Sequence, residues 1–150
     1  MKKHNTLTIG SIISGTCRAE DIIPELLYCA DELKLTRRER RAVQAIRSRA
    51  NAEGYFDTEE ADWDREELEN ILEGYTPPYF YLGAHPGDGA DLGVWLCEES
   101  IQDARHDGTL PDADKVPKGY TGQALEVNDH GNTTLFQYAQ GRRRIVWSIV

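Results

Sequence analysis

The chain reads as an α+β protein, with an antiparallel sheet of about five to six strands and three N-terminal helices packed on one face. Apolar residues recur at helical spacing as far as the double proline Pro77-Pro78 and alternate with polar ones beyond it. The later β-prone segments are joined by hairpin-length connections, which favour antiparallel pairing. A length of 150 residues suits one domain, with a helical half over 16–75 and a mainly β half over 79–150. Each half alone has too little apolar surface to support a core.

Leu7, Ile9, Ile12 and Ile13 form a first β-prone stretch that Gly15 ends. Next, "AEDIIPELLYCADELKL" places Ile22, Ile23, Leu26, Leu27, Ala30 and Leu33 at helical spacing. Proline is tolerated in the first turn, so Pro24 predicts a helix starting within about two residues of it. The second helix opens on the capping box Thr36-x-x-Glu39 and closes at Gly54, with a narrow apolar stripe of Val43, Ile46 and Ala50. A third helix is expected from about Asp62 to Glu73, with Leu68, Ile71 and Leu72 facing inward and Gly74 stopping it.

In the β half, residues 79–84 and 92–97 read as two strands around "HPGDGAD", followed by a short helix from Glu98 to about Asp107. The stretch "GTLPDADKVPKGYTG" lacks periodicity and reads as loop. "QALEV", "TTLFQYA" and "RRIVWSIV" then form a meander through the turns "NDHGN" and "QG". In the last of these Ile145, Trp147 and Ile149 alternate with Val146, Ser148 and Val150, which predicts a central strand covered on both faces. Tyr79, Phe80, Tyr81, Trp95, Phe136, Tyr138 and Trp147 gather in this half and are expected mostly in the core.

The formal net charge is −9, which disfavours direct binding to nucleic acid or anionic lipid and favours docking on a basic partner. No apolar run reaches the length of a membrane span, and the polar start lacks a secretory core, so the expected location is the cytoplasm. Cys17, Cys29 and Cys97 are odd in number and lack a CxxC spacing, so they read as small buried hydrophobes. The charges are segregated. Residues 36–53 carry six arginines against Glu39 and Glu53, whereas residues 57–73 carry nine acids against Arg65 alone. Neighbouring segments of opposite sign can neutralise each other, but nine acids exceed what six arginines can pair.

The glycine-rich turn contains His85, Asp88 and Asp91, and the later turn adds Asp129, His130 and Asn132. Were the two turns to meet, imidazole and carboxylate would suit zinc, manganese or iron in a small hydrolase. The simpler reading is a hairpin whose Gly and Asp residues tolerate positive φ. A phosphate loop is disfavoured, because two aspartates and no lysine surround the glycines. No nucleophile carries a flanking motif. A pocket for a small signalling nucleotide, rimmed by the glycine turns, is a further alternative. No cofactor is expected.

"IGSIISGTCRAEDIIPELL", "PPYFYLGAHPGDGADLGVWL" and "LEVNDHGNTTLF" resemble segments of small accessory proteins of tailed phages and prophages. The resemblance covers the start, middle and end of the chain but not the arginine-rich helix, and it brings no activity or site residues with it. It implies a setting: a compact protein used during infection, in the host cytoplasm, that inhibits host defence by binding. With the acidic segment, this points to a partner with a basic, nucleic-acid-handling surface, such as a CRISPR effector or a restriction enzyme, engaged by mimicry of nucleic acid. Glu59, Glu60, Asp62, Asp64, Glu66 and Glu67 are the expected partner-binding residues, because they crowd the start of the third helix.

Overall fold

The computed structural model describes residues 2–150. The class is α+β, with four helices and two three-stranded antiparallel sheets rather than a single sheet. The chain divides into two compact units, Met1–Leu96 and Cys97–Val150. The division falls after the glycine-rich hairpin and not at the double proline, so the first pair of long strands belongs with the helices.

In the first unit, β1 (Gly10–Ile13) is followed by α1 (Ala19–Asp31), α2 (Arg37–Ala50), a 3₁₀ turn (Tyr55–Asp57), α3 (Glu59–Glu73), β2 (Phe80–His85) and β3 (Asp88–Leu96). The sheet order is β1-β3-β2. Helix α1 buries Ile22, Ile23, Leu26, Leu27 and Ala30 and packs on α3, whose buried residues include Leu68 and Leu72. It begins five residues before Pro24, earlier than expected. Proline in the second turn removes only one backbone bond, and the buried isoleucines beside it offset that loss. Helix α2 has the expected capping box, with the Glu39 N–H donating to Thr36 and the Thr36 N–H donating to Glu39. It ends at Ala50, and the chain turns through Gly54 at φ +77°. Helix α3 starts at Glu59, three residues earlier than the apolar pattern suggested.

The β2–β3 hairpin is tighter than the sequence reading. His85 pairs with Asp88, and the register then slips so that Ala84 pairs with Leu92. Gly89, Ala90 and Asp91 bulge out of the ladder towards β1. There Ser11 donates to Asp91 at 2.5 Å, and the Gly15 N–H donates to the Ala90 carbonyl. Gly87 and Gly89 do not take positive φ, so the left-handed backbone expected of this turn is not what selects glycine. The glycine this sheet requires is Gly93, which pairs with Gly83 on one side and Ser11 on the other.

The second unit holds α4 (Glu98–His106), a 3₁₀ turn (Ala113–Lys115), β4 (Gly122–Val127), β5 (Thr133–Ala139) and β6 (Arg142–Ile149), in sheet order β4-β5-β6. Gln140 and Gly141 both have positive φ, the geometry of a type I′ hairpin. The segment 109–121 is more ordered than a plain loop. Its Pro111 carbonyl accepts from the Leu125 N–H, and Ala113 joins Ala124 and Phe136 in a core. Strand β6 is an edge strand and not a central one. Leu135 faces Trp147 and Phe136 faces Ile145, so a bulge at Val146 reverses the alternation. Trp147 is buried, while Ile145 is 60% exposed. Of the other aromatic residues of this half, Phe80 and Phe136 are buried and Tyr79, Tyr81, Trp95 and Tyr138 are half-buried. All three cysteines are free, and Cys17 is exposed rather than buried.

A Cβ on Gly93 would fall on the Gly10 carbonyl oxygen, 2.7 Å from the Trp95 ring and 2.9 Å from Ser11 Cα. Gly93→Ala is therefore expected to push β1 off the sheet and cost about 1–3 kcal/mol. Gly89→Ala meets open space and is expected to be close to neutral. Urea unfolding of the two variants checks the contrast.

Candidate functional site

Helix α3 presents two kinds of carboxylate. Asp64 is inward and only 4% exposed. Its Oδ1 accepts from Arg49 Nη2 at 2.7 Å, and its Oδ2 accepts from Arg49 Nε at 3.0 Å and from the Tyr55 hydroxyl at 2.8 Å. Burial alone would raise the Asp64 carboxyl, but the bonds from Arg49 and Tyr55 outweigh it and hold the pKa below the ordinary value. Burial and the bond to Asp64 push the Tyr55 phenol well above its usual range. The bond to Asp64 raises Arg49 further. Asp64 is thus a structural residue tying α2, the 3₁₀ turn and α3 together, which corrects its assignment to a partner-binding surface.

Glu59, Glu60, Asp62, Glu66 and Glu67 are exposed. Glu60 reaches Arg49 at 3.3 Å. Among the described residues no cation forms an ion pair with Glu59, Asp62, Glu66 or Glu67. Internal neutralisation between α2 and α3 is therefore narrow: Arg49 is the arginine of α2 that ion-pairs with α3, while Arg47 turns to Asp31 at 2.6 Å. Arg37, Arg38, Arg40 and Arg41 remain in solvent.

Trp63 was not singled out in the sequence, yet it lies at the centre of this face. It is 65% exposed, and Tyr28, at 58%, is the other exposed aromatic residue among those described. On a helix its neighbours lie three and four residues away, and these are Glu59, Glu60, Glu66 and Glu67. Ala61, Asp64, Leu68 and Leu72 take the buried side of the same helix, and this turns Trp63 outward. The signal was present in "EEADWDREELENIL": the tryptophan falls out of phase with the buried Ala61, Leu68 and Leu72. An indole ringed by carboxylates can accept a guanidinium or ammonium group through its face while the acids accept hydrogen bonds.

The alternative metal ligands hold other posts. His85 Nδ1 accepts from the Gly87 N–H at 2.9 Å, and its ring lies edge-on to Trp95 at 4.7 Å. Asp88 accepts from the Ala90 N–H, and Asp91 from Ser11. Asp129 and His130 belong to the second unit, in a turn where Asn128 Oδ1 accepts from the N–H groups of His130 and Asn132. Among the described residues no group of three or more His, Cys, Asp or Glu side chains is placed to hold a metal ion. No helix among them is long and apolar enough to cross a membrane. Comparison with protein-family models, curated proteins and solved structures finds no match.

Asp64→Asn retains the shape but removes the charge facing Arg49 and Tyr55. It is expected to destabilise by about 2 kcal/mol, within the range for a charged hydrogen-bond partner. The Asp64 pKa is lowered in the fold, so its stabilisation is complete above the ordinary carboxyl pKa and is lost as pH falls through the folded value. Urea midpoints between pH 7 and about pH 2 should therefore fall less steeply with acid in Asp64→Asn than in the unmodified protein.

Proposed function

We propose that the protein acts by binding, and that the outer face of α3 is its recognition surface for a partner protein with a basic surface. The observation that carries this reading is Trp63, exposed at the centre of a helix face whose carboxylates are mostly without internal partners. Tryptophan is enriched among residues that dominate binding energy, and surrounding polar groups exclude water from such an anchor. The carboxylates would add encounter rate and specificity. The phage-like segments extend the proposal to its biological setting: inhibition of a nucleic-acid-handling host defence protein in the host cytoplasm, with α3 occupying a groove that otherwise holds nucleic acid.

The test is an affinity capture from bacterial lysate followed by titration of the captured protein. Trp63→Ala should weaken binding by about 2 kcal/mol, as for a hot-spot residue. Lysine at Glu59, Asp62 and Glu66 together should cut binding steeply and flatten its salt dependence. Lysine at the exposed Glu99, Asp103 and Asp114 serves as the control for bulk charge. Equal losses in both triple variants, or none in the α3 set, would defeat the proposal.

A further inference from the structure

The segment leading into β1 and helix α1 enclose an open cavity of about 190 Å³ in the first unit. Its lining includes the apolar residues Leu7, Ile9, Ile12 and Leu33 and the polar residues Thr6, Thr8 and Ser11. Helix α1 with the residue that caps it contributes Glu25, Tyr28, Cys29 and Glu32. Glu25 and Glu32 are two helical turns apart, about 10 Å along the axis. Neither forms an ion pair or a side-chain hydrogen bond among the described residues, and His4 is the one basic residue among those lining the cavity. Tyr28 lies between the two acids in sequence, and it is the exposed aromatic residue of α1.

We infer that this cavity binds a linear aliphatic diamine of the putrescine type, with one ammonium on Glu25, the other on Glu32, and the carbon chain against the apolar residues of the lining. Two carboxylates spaced along α1 and its cap call for two cations at the ends of one molecule. A monoamine, or a single lysine side chain, could pair only one of them. The side chains of Leu7, Ile9, Ile12 and Leu33 in the lining disfavour a hydrated metal ion, which would need oxygen ligands in their place. The Tyr28 ring offers its face to an ammonium entering the mouth. Burial, together with the charges of Glu25 and Glu32, raises the Cys29 thiol beside them to about 11. The site lies on α1 and the β1 approach, so it stands or falls separately from the α3 surface.

The probes are putrescine, n-butylamine and magnesium chloride, added to the intact protein at low ionic strength and read by melting temperature and calorimetry. Putrescine is expected to raise the melting temperature saturably and to bind at least about tenfold tighter than butylamine, the ratio for one lost charged hydrogen bond. Glu25→Gln and Glu32→Gln should each weaken putrescine about tenfold. Both acids reach solvent, so circular dichroism of the variants should match the parent. Stabilisation by magnesium or butylamine equal to that by putrescine would show general charge screening and overturn the site. Unchanged putrescine affinity in both variants would do the same, and loss in only one would overturn the diamine assignment.

Discussion

The carboxylate of Asp64 is the constraint on which the helical part of the first unit depends. It is buried and charged, so it must be met by hydrogen-bond donors, and Arg49 and Tyr55 supply three. Those donors come from the end of α2 and from the 3₁₀ turn, so a single group sets where the chain reverses between α2 and α3. Glu39 does similar work at the other end of α2. It receives the Thr36 N–H and the Tyr75 hydroxyl, linking the start of α2 to the residue just beyond α3. Helices α2 and α3 are thus held at both ends by polar contacts, while α1 and α3 are held by apolar burial.

Placing Asp64 inward determines what faces outward. With Ala61, Leu68 and Leu72 on the buried side, the helical period leaves Trp63 and the glutamates three and four residues from it in solvent. Burying an indole stabilises a fold substantially, and here that gain is forgone in favour of an aromatic group left among acids. Most of those acids lack a cation within the chain. The same unit leaves Arg37, Arg38, Arg40 and Arg41 exposed at the first turns of α2, where the helix dipole disfavours positive charge. Opposite charges therefore remain apart, and most of the formal segregation seen in the sequence survives folding.

The sheets show how a one-residue irregularity redirects side chains. The bulge at Val146 puts Trp147 in the core and Ile145 in solvent, although the two share the same parity in sequence. In the first unit the slip between Ala84 and His85 extrudes Asp91 towards Ser11, so an aspartate that looked like a turn residue or a metal ligand instead fastens β1 to the hairpin.

Taken alone, the sequence determined the α+β class, the capping box of α2, the apolar face of α1, the inward Leu68 and Leu72, and the hairpin meander of the C-terminal strands. These are local properties, set by the spacing of apolar residues and by capping and turn chemistry within a few positions of each residue. The division into two three-stranded sheets, the edge position of β6, the need for glycine at Gly93, the burial of Asp64 and the exposure of Trp63 were decided by tertiary structure. Each depends on partners distant in the chain: Asp64 on Arg49 and Tyr55, Gly93 on Gly10 and Ser11, Trp147 on Leu135. An acidic run looks uniform to composition, but a helix has an inside and an outside, and only the packing of α3 against its neighbours separated the aspartate that holds the fold from the glutamates left in solvent.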